Sequence, residues 1–139
     1  MKRLLVDVDV VLDVLLDRAP HAEASSALWA AGERGDCRLV LAAHAITTIF
    51  YLASRQRDAK FARAVVADLL AIFEVARVDE AVLQRALSLP MDDFEDAVAA
   101  AAAVDAGAEA IVTRNLRDFE ASPIPALDPA TALAWLKER

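Results

Sequence analysis

Five strand-length segments alternate with helix-length segments along this chain, and that alternation constrains its fold more than any other feature. Arg3 to Val8 opens as a short apolar run flanked by charge, which predicts a buried strand. A helix is expected over about 19–35, with Pro20 near its start and Gly35 at its end. Arg38 to Ala42 reads as a second strand. Residues 44–56 carry Ile46, Ile49, Phe50 and Ala53 on one helical face, and 59–73 repeat the pattern with Phe61, Val65, Leu69 and Phe73. Glu74 to Val78 reads as a strand and 79–88 as a short helix. The clearest helix is 93–106, expected to be capped by Asp92 with Glu95 completing an Asp-x-x-Glu box, and ended by Gly107. A strand over Ala110 to Thr113, a turn or short helix over 116–120, a strand over 124–127 and a helix over 129–138 complete the series. Strands alternating with helices predict an α/β fold, a three-layer sandwich with a mostly parallel central sheet flanked by helices. The 139 residues suit one domain over 1–139.

Composition narrows the functional classes. The hydrophobic share of 58% rests heavily on 32 alanines, so the Ala-rich tract at 97–103 reads as helix. No apolar run reaches the ~18–20 residues of a membrane span. Carboxylates at Asp7, Asp9, Asp13 and Asp17 interrupt the N-terminal segment as no signal peptide does, which predicts a cytoplasmic protein. The single Cys37 excludes an intramolecular disulfide and any multi-cysteine zinc site. The only glycines are Gly32, Gly35 and Gly107, so there is no glycine-rich phosphate loop. His21 and His44 have no ligand spacing to each other. A net charge of −7 disfavours broad electrostatic binding of nucleic acid. It does not exclude a nuclease, because carboxylates that hold divalent cations contribute to the same sum.

In a parallel sheet, sites form beyond the carboxyl ends of the strands. Three polar groups sit at such ends. Asp7 and Asp9 close the first strand, where Asp9 reads equally as a helix cap and Asp7 as a turn residue. Asp92, Asp93, Glu95 and Asp96 crowd one helix start. Caps and dipole stabilise one or two charges there by ~0.3–1 kcal/mol each, and Asp96 is the least explained by capping. Thr113, Arg114, Asn115, Arg117 and Asp118 follow the fourth strand, where Thr113 and Asn115 suit a turn. Arg114 and Arg117 suit either neutralisation of structural carboxylates or a phosphate contact. Together the groups suggest an oxygen-ligand site for a hard cation, Mg²⁺ or Mn²⁺.

The ordered motifs resemble those of the PIN-domain family of metal-dependent ribonucleases, which includes the VapC toxins. Leu5-Val6-Asp7-Val8-Asp9-Val10-Val11-Leu12-Asp13 is similar to the family's opening Asp-Thr-Asn-Val-Leu-Leu-Asp. Asp93-Phe94-Glu95-Asp96-Ala97 resembles its central acidic motif, and Thr113-Arg114-Asn115-Leu116-Arg117-Asp118-Phe119 its closing Thr-Arg-Asn-x-x-Asp-Phe. Ile46-Thr47-Thr48-Ile49-Phe50-Tyr51 looks like the second helix of one subgroup. The resemblance implies a PIN-like fold and an endoribonuclease using Mg²⁺ or Mn²⁺ held by Asp7, Asp96 and Asp118. It implies Asn115 as a weaker ligand or orienting amide, and Thr113 and Arg114 as binding residues. It also implies an RNA substrate, a cognate antitoxin partner and a homodimer. Two departures stand out. Thr48 lies where many members carry a helix Glu, and Asp9 lies where the usual residue is Asn. Asp9 or Glu95 is the expected replacement acid.

Two other readings use the same residues. In a catalytically silent PIN-like module, the domain binds RNA or protein without cutting. In a haloacid-dehalogenase-type phosphatase, Asp7 is the nucleophile and Asp9 the general acid, but the strand-terminal hydroxyl, Thr113, follows the acidic cluster instead of preceding it.

Overall fold

The computed structural model describes residues 1–138. Its strands are β1 (Arg3–Val6), β2 (Arg38–Ala42), β3 (Glu74–Ala76), β4 (Ala110–Val112) and β5 (Ala126–Leu127). They form one sheet in the order β3-β2-β1-β4-β5, and every neighbouring pair is parallel. Helices α1 (Val8–Leu15), α2 (Ala22–Glu33), α3 (Ala43–Gln56), α4 (Ala59–Ile72), α5 (Glu80–Ser88), α6 (Phe94–Asp105) and α7 (Pro129–Leu136) make the connections, with a 3₁₀ turn over Leu116–Phe119. This is the expected α/β sandwich.

Alternation along the strands splits the core in two. Leu4 and Val6 of β1, Leu39 and Leu41 of β2, and Ala110 and Val112 of β4 face α1, α2, α3, α4 and α7, meeting Val11, Leu28, Ile49, Leu69 and Ala132. Leu5, Val40 and Ile111 face the other way, onto α6 and α5. The strands thus read as continuous apolar runs because both of their faces are covered. Residues Ala97 to Ala103 of α6 are all buried. Alanine at nearly every position lets this helix be enclosed on all sides by α5, the sheet and the 3₁₀ turn. At Gly32 in α2, an added Cβ would lie 2.7 Å from Leu39 Cγ, so α2 needs glycine to lie this close to β2.

Helix ends follow local chemistry. Gly35 and Gly107 both have positive φ, at 85° and 75°. In each case the glycine N–H and the next one donate back into the last turn: Gly35 to Gly32 and Asp36 to Ala31, Gly107 to Val104 and Ala108 to Ala103.

Several boundaries differ from expectation: the fourth strand stops at Val112, the last strand covers only Ala126–Leu127, the last helix stops at Leu136, and four further differences bear on the site or the turns beside it. The first strand ends at Val6, and residues 8–15 form α1, which the apolar run had hidden. Its cap is Asp7, whose Oδ1 accepts from Val8 N–H at 2.9 Å, and not Asp9. The next helix starts at Ala22, leaving Pro20 in the preceding turn. The third strand ends at Ala76 rather than Val78. The cap of α6 is Asp93, whose Oδ1 accepts from Asp96 N–H at 3.0 Å, so Asp92 is not the cap and Glu95 is released from the expected box.

Candidate active site

Chain direction creates the site. The chain runs outward from β1 to β2 and β3, then crosses back from β3 to β4 on the other side of β1, and this reversal opens a crevice at the carboxyl ends of the central strands. Asp7 follows β1 directly, His44 follows β2, and Thr113 follows β4. The N-terminus of α6 supplies Glu95 and Asp96. A cleft of about 310 Å³ is lined by Asp7, Asp9, Glu95, Asp96, Asn115 and Arg18, among others. Asp118 is exposed and lines an adjoining hollow, which it shares with Asp96.

Each acid is held differently. Asp7 Oδ2 accepts from the buried Thr113 hydroxyl at 2.8 Å, and that oxygen in turn accepts from Asn115 N–H at 3.0 Å. Thr113 therefore fixes Asp7 across the junction of β1 and β4. Burial pushes the Asp7 carboxyl above its ordinary pKa. The Thr113 and Val8 hydrogen bonds oppose that shift, and the Asp118 and Glu95 charges reinforce it. Asp9 Oδ2 accepts from Arg114 N–H at 3.3 Å and from Asn115 Nδ2 at 3.1 Å, while its Oδ1 is buried without a partner. Burial, with the Asp7 charge next, raises Asp9 to about 6. Asp96 is raised to about 7 by burial first, then by Asp93, Asp7, Asp118 and Glu95.

Glu95 occupies the space next to the departure noted in the sequence. Thr48 Oγ1 donates to Glu95 Oε1 at 3.1 Å, and His44 Nε2 donates to the Glu95 backbone carbonyl at 3.2 Å. A carboxylate from α6 is therefore tethered beside the α3 position that lacks one. Arg114 is turned elsewhere. Its Nε donates to Asp13 Oδ2 at 2.7 Å, and its side chain borders a separate groove with Pro20, His21 and Asp128. Of its two expected roles, the geometry gives it neutralisation of a structural carboxylate. Asp13 itself, fully buried on α1, and its second neighbour Arg18 were not foreseen. Recognising 8–15 as a helix would have placed Asp13 one turn from Asp9.

The donor set is all oxygen, and its mutual repulsion together with the orphaned Asp9 Oδ1 fits a hard divalent cation. Among the described residues, no three His, Cys, Asp or Glu side chains form an already closed ligand set.

Burial of these carboxyls, with charge crowding second, has a measurable consequence. Between the ordinary carboxyl pKa of 3.8 and the raised values, the folded protein holds protons on Asp9 and Asp96 that the unfolded chain has lost. Stability of the metal-free protein therefore falls as pH rises from about 4 to about 8. Thermal melts in chelator are expected to give a higher Tm near pH 5.5 than near pH 8. Equal or reversed midpoints would contradict the burial and crowding of these carboxyls.

A family model described as PIN domain matches residues 3–117. No curated protein matches the chain in sequence. Several solved structures share the fold. DNA-bound VapBC from Salmonella typhimurium matches with TM-score 0.70 and 19% identity, covering 93% of this chain and 99% of that one. A toxin–antitoxin complex from Klebsiella pneumoniae matches at 0.68 and 17%, covering 91% and 97%. VapC20 from Mycobacterium tuberculosis, a sarcin-ricin loop cleaving toxin, matches at 0.62 and 17%, covering 78% and 86%.

Proposed function

The chain belongs to the PIN domain family, and on that premise we propose that it is a metal-dependent endoribonuclease and the toxin of a toxin–antitoxin pair. One observation carries the reading. Carboxylates from the β1–α1 junction and from α6 share a cleft, and Asp118 stands close enough for its charge to act on both Asp7 and Asp96. Asp7, Asp96 and Asp118 would hold Mg²⁺ or Mn²⁺, with Glu95 or Asp9 supplying the acid that Thr48 does not. When bound, such a cation polarises a phosphodiester and generates hydroxide from water at neutral pH.

The chain's own residues do the positioning. Thr113 and the Val8 N–H hold both oxygens of Asp7, so its free lone pairs keep one orientation toward the cleft. Asn115 spans the site, with its backbone N–H on Thr113 and its amide on Asp9. Thr48 keeps Glu95 beside the cleft. The fold of toxin–antitoxin complexes supports a proposed antitoxin partner, and the resemblance supports a proposed homodimer. No helix among the described residues is long and apolar enough to cross a membrane. The phosphatase reading of Asp7 and Asp9 is dropped, because the family match is to the PIN domain.

A second reading has its own support. The open ligand set and the Thr48 departure favour a silent module that binds RNA without cutting it. One experiment separates the two. Single-stranded RNA is incubated with the protein in Mn²⁺ or in excess chelator, and Mn²⁺ binding is followed by calorimetry. Cleavage in Mn²⁺ alone is expected. Cleavage that persists in chelator overturns the metal mechanism, and absence of both cleavage and millimolar Mn²⁺ binding establishes the silent module.

A further inference from the structure

A cleft lined by Asp7, Asp9, Glu95 and Asp96 repels the polyanion it is proposed to cut. Of the residues lining it, Arg18 is the only lysine or arginine. We propose that Arg18, positioned by the buried Asp13, is the residue that receives a phosphate oxygen of the RNA strand. This inference rests on RNA being the substrate and extends that reading by naming a contact.

The charge balance around Asp13 supports it. One fully buried carboxylate faces two guanidiniums, with Arg114 Nε at 2.7 Å and Arg18 Nε at 3.3 Å. Arg114 makes the well-formed hydrogen bond and is the more covered of the two. Arg114 satisfies Asp13 Oδ2, while Asp13 Oδ1 lies against Arg18 Nε without a well-formed hydrogen bond, so two cations share one negative charge and the surplus falls on the less tightly paired Arg18, whose side chain is 38% exposed. Arg18 is also short of acceptors. Its Nε lies 3.3 Å from Asp13 Oδ1 without a well-formed hydrogen bond, and its Nη2 has no partner. Both nitrogens are covered, so a ligand in the cleft meets the exposed remainder of the guanidinium, which no group of the protein engages fully. A guanidinium fork presents its N–H groups in the plane that matches two phosphate oxygens.

The backbone at Arg18 is anchored on both sides. Its N–H donates to Asp13 carbonyl at 3.0 Å, and its carbonyl accepts from Ala22 N–H at 2.8 Å. Asp17, just before it, takes a left-handed conformation at φ 47°, which turns the chain sharply off the end of α1. The side chain therefore leaves from a defined point and needs little ordering when a ligand arrives.

The test is binding of a fluorescent single-stranded RNA oligonucleotide at low salt in chelator, where no cleavage interferes. Arg18→Gln is expected to weaken binding about 10-fold and to make the dependence of log affinity on log salt shallower by about 0.7. Arg18→Lys is expected to keep the salt slope while losing part of the affinity, because it retains charge without the fork. In the wild-type protein, the Arg18 Nε–H resonance is expected to shift on RNA addition while that of Arg114 stays in place. Unchanged affinity and slope in Arg18→Gln, an Arg18 resonance that does not move at saturating RNA, or no RNA binding by wild type overturns the proposal. The outcomes separate from those of the nuclease reading. Wild type that binds RNA through Arg18 but never cleaves it fails only the latter, and wild type that cleaves while Arg18→Gln binds normally fails only the former.

Discussion

Asp96→Asn is expected to reduce Mn²⁺-supported RNA cleavage by at least about 100-fold and, in the same preparation, to raise the Tm of the metal-free protein. Both effects come from one position. Asp96 lies in the first turn of α6, borders both the main cleft and the hollow that holds Asp118, and feels four other carboxylates. In the absence of metal its charge is a liability, which is why its carboxyl is raised to about 7. The amide keeps the size and removes the repulsion. Its backbone N–H still donates to Asp93, so the helix cap is retained. With a cation bound, the same charge becomes the attraction that holds it, and the amide supplies a far poorer ligand. Cleavage assays with Mn²⁺ and thermal melts with chelator check the two halves. Retained cleavage removes Asp96 from the mechanism, and a lower metal-free Tm would mean that the charge is stabilising where it stands.

The largest expected loss of stability comes from Asp13→Ala, at about 3–5 kcal/mol. Asp13 has no exposed surface, and two guanidiniums converge on it from opposite ends of the sequence. Its removal leaves Arg114 partly buried without a counter-ion and opens a gap under α1. For a chain of this size the corresponding drop in Tm is about 10 °C or more. Replacing Asp13, Arg18 and Arg114 together by apolar residues of similar volume is expected to cost less than the single change, because the penalty lies mostly in the stranded cations. Denaturant unfolding measures both. A single-mutant loss below about 1 kcal/mol would class the triad with ordinary surface pairs.

The strands and the acids were legible in sequence because each rests on short-range chemistry. Leu4-Leu5-Val6, Leu39-Val40-Leu41 and Ile111-Val112 are apolar at every position, as strands covered on both faces must be, and a carboxylate or hydroxyl at the end of such a run stands out. Helix α1 was hidden for the same reason. Val8, Val10, Val11 and Val14 have the composition of a strand, and only the Asp7 cap and packing against the sheet make them helical. Asp92 and Asp93 differ by one position, and nothing local distinguishes which begins the helix. The remaining features depend on residues distant in sequence. Thr48 and Glu95 are 47 residues apart and Arg114 and Asp13 are 101 apart, so their pairing exists only once the sheet has formed.

Helix α6 carries Glu95 and Asp96 on a stem made of alanine and valine, walled in on every side. A stem with almost no rotatable side chains has no second arrangement to settle into. It therefore acts as a fixed jaw. Any give around the acids falls to the outer rim, the turn over Leu116–Phe119, while the acids at the centre keep their spacing.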